Sequence, residues 1–473
     1  MQIADWIAGA RQGLAGFDLE GMKSSGILPS RGEDFFPVIG YPPLTMFGPM
    51  DQDPLFADFA QRPASPTIAY IHIPFCPSRC TFCHWITKTK SREQEVDDYL
   101  HFLDREMALY KSNMGLQKIP ARSVLVGGGT PTYLNARQME RFLTSVGNHF
   151  DLGGCTQFSV EAEPTTLLGD DGLAKLQIMK DFGVHRISMG VQSFDDPVLA
   201  YMGRVHSRDD SLRAVEQMRR VGIDSIMIDL IYSYPNQTPA MWAENMLTGI
   251  ALDVDGFQLY RLRVKKHGDR QGKILKVLGR QPEHFPDADE TFLMKYLGGL
   301  IAEAHGYKQL QTRVYVKNES HMSHYLRDWC CDLTDVVGVG VSSWSNLRGV
   351  FSLNVGDTNL ETYYDYIRDG KVAVNRGKMR SRDDELRRSF VLPLKNSVVD
   401  KRYFSERTGA RVGEHFQCEI DWLKSFGLVD EDAQRVWLTA RGRFFADEVS
   451  TQFFNPAFLP FPDVARPPLR SAC

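Results

Sequence analysis

The sequence predicts an α/β fold of parallel βαβ units followed by a smaller unit of mixed character. Short β-rich runs, several ending at Gly, Pro or a charged residue, alternate repeatedly with helical patterns in the middle of the chain. Past about Gly370 the pattern changes to helices separated by a short turn and strand. A length of 473 residues also exceeds one ordinary core, so two or three domains are expected.

The elements follow in order. Residues 1–65, with several Pro and aromatic residues, read as an N-terminal extension able to cover the mouth of the unit behind it. The strand candidates are "TIAYIHIPF", "SVLVGGGTP", "QFSVEAEP", "RISMGVQSF" and "IMIDLIY". Between them lie the helical patterns "VDDYLHFLDREMALYK", "ARQMERFLTSVGNHF", "GLAKLQIMKDFG" and "DDSLRAVEQMRRVG". This order makes residues 66–370 the main domain, and ligand-binding residues are expected at its C-terminal strand ends. Residues 371–450 read as a small winged-helix-like α/β domain, and 451–473 as an extended Pro-rich tail.

Composition excludes several classes. With 55 Lys and Arg against 59 Asp and Glu the formal charge is -4, and no basic block or stripe points to nucleic acid. No run of about 18 apolar residues suggests a membrane span, and the start of the chain has no signal-peptide pattern, so a cytoplasmic setting is expected.

Eight cysteines are too few for a disulfide scaffold in so long a chain. Cys155, Cys330, Cys331, Cys418 and Cys473 show no ligand-like spacing apart from one adjacent pair, whereas Cys76, Cys80 and Cys83 share one short loop directly after an apolar run. Closely spaced thiolates suit soft metals, which leaves zinc and iron-sulfur clusters as candidates beside three thiols close by chance. Structural zinc wants four ligands, and His84, adjacent to Cys83, is poorly placed to complete a closed tetrahedral site. A cluster of four irons held by three cysteines keeps one iron open to an amine and a carboxylate of a small molecule.

Cys-x3-Cys-x2-Cys with Phe82 before the last cysteine resembles the radical S-adenosylmethionine (SAM) superfamily, and more narrowly the oxygen-independent coproporphyrinogen III oxidase (HemN-type) family. "YIHIPFC", "GGGTPTYL", "SVEAEP", "RISMGVQSF" and "MIDLIYSYPNQTP" stand in that family's order and spacing, within a likeness running from about Tyr70 to Arg443. The resemblance implies a partial (β/α)6 TIM-like barrel with a C-terminal lid, a 4Fe-4S cluster on Cys76, Cys80 and Cys83, and SAM in two molecules. It places Tyr70, Phe82, Gly128, Gly129, Thr130, Glu161, Gln192, Arg204 and Asp229 around the first SAM, with Arg204 suited to its carboxylate. More loosely, it places Arg263 and Trp344 (or Ser343) near the second. An electron donor such as flavodoxin or ferredoxin, a small-molecule substrate and a monomeric chain complete the expectation.

The chain also departs from that family. Porphyrinogen enzymes carry a further cysteine two residues after the last ligand, where this chain has Trp85, and the N-terminal "FFPVIGYPPLTMFGP" lacks their basic closing segment. These departures point to HemN-like methyltransferases and cyclopropanating enzymes, with His84, His206 and Tyr260 as candidate proton carriers. The alternatives are oxidative decarboxylation of coproporphyrinogen III and a haem-binding relative.

Overall fold

The computed structural model describes residues 2–29, 37–59, 65–264, 273–396 and 398–458. Most of the Pro-rich tail expected at 451–473 lies outside these residues.

Six parallel strands carry the main domain: β1 (Thr67–Ile73), β2 (Ile119–Gly128), β3 (Gln157–Ala162), β4 (Arg186–Gln192), β5 (Ser225–Tyr232) and β6 (Gly256–Arg261). They pair in sequence order. Each is followed by a helix: α1 (Glu93–Asn113), α2 (Ala136–His149), α3 (Gly169–Asp181), α4 (Arg208–Val221), α5 (Pro239–Ala251) and α6 (Ala288–Ala304). Several start where a side chain accepts from a free backbone amide: Asn135 before α2, Ser207 before α4, Thr238 before α5 and Asp287 before α6.

The barrel is open. β6 continues into an antiparallel edge made by Val314–Val316 and Lys308–Gln311. On the other side β1 pairs in parallel with β7 (Val336–Val339), which leads antiparallel to Trp344–Leu347, Val350–Asn354 and Val374–Met379. Gly48–Pro49 from the N-terminal extension ends that edge on Gly377 and Arg376.

Strand alternation divides the side chains between two surroundings. Val124, Val126, Phe158, Val160, Ile187, Met189, Ile226, Ile228 and Leu230 point outward into the core under the helices, all buried. Many inward positions are polar or aromatic, among them Tyr70, His72, Glu161, Arg186, Ser188, Asp229, Gln258 and Tyr260. A barrel interior of this composition is made for a polar ligand, since burying such groups unpartnered costs several kcal/mol each.

The carboxylate of Glu106 on α1 pins the far side of the barrel. It is buried and accepts from the Gly340 and Ala373 amides, the Asn354 amide group and the Tyr363 hydroxyl. The N-terminal helix Ile3–Leu14 buries Trp6 and Ala10 and packs along the outside of α5 and α6, with Gly9 against Leu300. The described parts of residues 1–65 thus lie on the outer helices, the sheet edge and the C-terminal segment; the Val38 amide, for example, donates to Asp447.

The C-terminal unit sets helices Arg382–Lys395, Lys401–Thr408 and Val412–Ser425 against a small antiparallel sheet, with Arg435–Leu438 between Val398–Asp400 and Val429–Glu431. Ser381 and Asp384 form a capping box that starts the first helix. A second core, including Phe390, Phe404, Phe416, Ile420 and Val436, joins this unit to Ile68, Tyr70 and Val336 of the barrel.

Candidate functional site

The three-cysteine loop leaves β1 at its C-terminal end and is tied down along its length. The Thr130 amide donates to Phe75 O (2.7 Å), the Gly129 amide to Ile73 O (2.8 Å) and the Lys88 amide to Pro74 O (2.8 Å). Beyond Cys80, the Thr81 amide donates to Met202 O and the Thr81 and Tyr234 hydroxyls share a hydrogen bond. Burial, with repulsion from Cys83 and Cys80, pushes the Cys76 thiol up to about 12; burial and Cys80 push Cys83 up to about 11. Loss of these protons therefore needs a compensating cation. Two sulfurs already face donors: Thr130 Oγ1 lies 3.4 Å from Cys76 Sγ, and Arg204 Nη1 lies 3.3 Å from Cys80 Sγ.

Among the described residues no three His, Cys, Asp or Glu side chains gather around a single ion position. Structural zinc requires four such ligands, whereas cluster cysteines each address a different iron. The coupled thiols and their donors thus fit an iron-sulfur cluster.

The glycine run after β2 has a sharper role than open space for a ligand. A Cβ on Gly127 would stand 2.7 Å from the Glu161 carboxylate, and one on Gly129 would stand 2.7 Å from the Pro74 backbone. Gly128, at φ 109°, would meet the His72 ring at 2.5 Å. The three absent side chains bring Glu161, His72 and the cysteine loop together, and the Gly128 amide donates to Glu161 Oε2 (3.1 Å).

Glu161 and Asp229 face the interior as two carboxylates. Burial and then Asp229 raise Glu161 to about 7, and burial raises Asp229 to about 6. Asp229 Oδ1 accepts from Ser188 Oγ (2.9 Å) and Gln258 Nε2 (2.8 Å), while the Tyr260 hydroxyl donates to Gln258 Oε1 (3.1 Å). Burial, then the charges of Asp229 and Glu161, hold the Tyr260 hydroxyl far above the ordinary phenol range, so it serves here as a donor. Gln192 ends β4 at φ 67°, a left-handed conformation that a non-glycine residue holds at some strain, as functional strand ends often do.

Arg204 and His206 meet at Glu163. The Arg204 guanidinium donates to Gly190 O (2.7 Å) and lies 3.5 Å from Glu163 Oε1, besides its contact with Cys80. His206 is buried, with Nδ1 2.9 Å from Glu163 Oε1 and Nε2 3.0 Å from Val191 O. His206 Nδ1 also lies 3.3 Å from Arg204 Nε, so His206, Glu163 and Arg204 form one buried group. His84 sits on the cysteine loop with Nε2 3.1 Å from Arg263 O.

Two further positions make ring contacts. Phe82 meets Tyr234 edge-on in an apolar cluster with Val198, Met202 and Leu262. Trp344 lies between Tyr70 (6.3 Å, stacked), Trp329 (4.6 Å) and Phe351 (5.4 Å), so its ring is an aromatic wall beside Tyr70. Tyr70 gives its hydroxyl to the His72 ring at 3.1 Å, and burial drives His72 down to about 4, so His72 is neutral. Ser188, Gln258 and Arg186 line the same interior and are not named from sequence. The available signal was polar residues at alternate positions of otherwise apolar strands.

Comparison with known proteins agrees with this geometry. Residues 70–247 match the family model of the radical SAM superfamily, and residues 381–445 match that of the HemN C-terminal domain. The heme chaperone HemW of Bacillus subtilis (strain 168) is 28% identical over 389 residues, covering 82% of this chain and 99% of the relative. The oxygen-independent coproporphyrinogen III oxidase of Paracoccus denitrificans (strain Pd 1222) is 28% identical over 434 residues, covering 87% and 92%. The structure of coproporphyrinogen III oxidase (HemN) from Escherichia coli superposes with a TM-score of 0.74 at 23% identity, over 92% of this chain and 98% of that one. With the cysteine loop, the open parallel barrel and the C-terminal unit all in place, this chain carries a radical SAM domain and a HemN C-terminal domain.

Proposed function

We propose that the chain is a radical SAM protein whose ligand is a tetrapyrrole, with haem handling favoured over porphyrinogen decarboxylation. The observation that carries this is the extent of the matches: relatives named for haem and for coproporphyrinogen align over more than four-fifths of the chain, through both the barrel and the C-terminal unit. None of the relatives described above is named for methyl or methylene transfer, so the haem-side alternative is the better supported reading. Trp85, 46% exposed where porphyrinogen enzymes carry a cysteine, favours handling over decarboxylation.

Cys76, Cys80 and Cys83 would hold the 4Fe-4S cluster, and Glu161, Gln192, Arg204, Asp229 and the Gly128–Thr130 backbone would orient SAM. The chemistry such a cluster supplies when bound is the one-electron reductive cleavage of SAM to a 5'-deoxyadenosyl radical. The protein's part is to seat the ligand between the glycine run and the two carboxylates and to exclude water. Binding of a second SAM beside Arg263 and Trp344, a flavodoxin or ferredoxin as electron donor, a monomeric state and a cytoplasmic setting belong to the same proposal. Among the described residues no helix is long and apolar enough to cross a membrane.

The test uses anaerobically reconstituted protein. A haem titration should give a saturable Soret band, equilibrium dialysis reads one or two SAM per chain, and reductant should yield 5'-deoxyadenosine. Carbon dioxide released from coproporphyrinogen III would move the assignment to decarboxylation. S-adenosylhomocysteine together with label transferred from the SAM methyl group would overturn it in favour of methylene transfer.

A further inference from the structure

Arg186 is buried at 3% exposure on the inward face of β4, in line with Ser188, Gly190 and Gln192. Its Nε and Nη2 are enclosed and have no hydrogen-bond partner. Burying a guanidinium this way is expensive unless nearby anions offset it. The groups that act on it are Asp229 on β5, the neutral Tyr260 hydroxyl on β6 and Glu161 on β3. Glu161 also acts on Tyr70 and Tyr325, and Arg313 acts on Tyr260 from the antiparallel edge.

Two carboxylates enclosed together tend to share a proton, because each raises the other. A cation in the strand between them opposes that. We propose that Arg186 is a positioning residue: the buried counter-ion that favours the anionic forms of Glu161 and Asp229, so that both can present acceptor oxygens to a cationic ligand inside the barrel. One cation against two anions leaves a net charge of -1, which complements SAM, whose sulfonium and ammonium outweigh its carboxylate by one charge. The inference rests on SAM binding at this site.

The experiment measures SAM affinity of cluster-reconstituted protein between pH 6 and 8.5 for wild type, Arg186→Gln and Arg186→Lys, with iron content and thermal midpoint as controls. Arg186→Gln should keep its iron and weaken SAM binding by about 10-fold at low pH, with the loss shrinking as pH rises, since removing the cation raises both carboxylates further. Arg186→Lys should restore most of the affinity. Equal affinity of wild type and Arg186→Gln at every pH, or a loss that does not vary with pH, would overturn the counter-ion role. If Arg186→Gln does not fold, an unchanged pH profile in Arg186→Lys combined with Glu161→Gln, set against Glu161→Gln alone, supports the role, and a shifted profile overturns it. Failure of wild type to bind SAM would sink the cofactor reading instead.

Discussion

The two halves of the barrel interior are built differently. On the β1–β4 side, function sits in backbone and loop. Three glycines admit Glu161, His72 and the cysteine loop to van der Waals contact, and the loop is tied by main-chain hydrogen bonds to β1, β2 and the turn after Met202. On the β5–β6 and β7 side, function sits in side-chain networks. Asp229, Gln258 and Tyr260 are linked by hydrogen bonds that reach back to Ser188 on β4, and Trp344 stacks on Tyr70 of β1 and tilts against Trp329. Backbone-built sites tolerate almost no substitution, because the chain itself must move. Side-chain networks can be pruned one member at a time.

The largest expected effect breaks the first half outright. Replacing Cys76, Cys80 and Cys83 with Ala should abolish bound iron and sulfide, while replacing Cys330 and Cys331 should leave both unchanged. Iron retained by the triple variant would show that other ligands hold it. Next comes Gly128→Ala, which places a Cβ 2.5 Å from the His72 ring at a φ of 109°. Strain of this kind costs on the order of 2–3 kcal/mol, read as a lower thermal midpoint and reduced cluster content.

Glu161→Gln tests where the halves meet. It should keep the cluster and weaken SAM binding about 10-fold, as expected for loss of a charged acceptor; collapse of soluble expression would point to a structural role. Wild-type affinity should also fall as pH drops through about 7 and then about 6, where Glu161 and Asp229 take up protons. The stability of ligand-free protein should run the other way. Both folded values lie above the ordinary carboxylate range, so the native state holds protons that the unfolded chain releases. Their contribution is fully present below the unfolded values and is lost as pH rises through about 7. The smallest effect belongs to Tyr260→Phe, which removes one hydrogen bond to Gln258 and should cost about 1 kcal/mol, seen as a few-fold change in SAM affinity.

The same contrast explains what the sequence made legible. Strands with apolar outward positions and a glycine or proline at the end announce themselves, and so does a cluster of thiols that no disulfide scaffold requires. The antiparallel additions at Trp344–Leu347 and Val350–Asn354 do not, because a short hairpin buried on both faces lacks the polar alternation of an exposed one. Arg204 and His206 lie two residues apart, and only the fold shows that both meet Glu163, distant in sequence and adjacent in space. Arg186 escaped notice for a related reason: an arginine opening a strand reads as a solvated end until the topology turns that end into the barrel.

Glu106 bears on how this chain is made. Its four donors come from residues 340, 354, 363 and 373, more than 230 positions downstream. A nascent chain that has emerged only as far as α6 can assemble the six parallel strands, yet it leaves a carboxylate in α1 facing the core with nothing to receive it. Consolidation of the barrel therefore waits on translation of the hairpin and of Ala373. A fragment ending at residue 300 would be a poor vehicle for expression, even though it contains every cysteine of the loop and every strand of the (β/α)6 array.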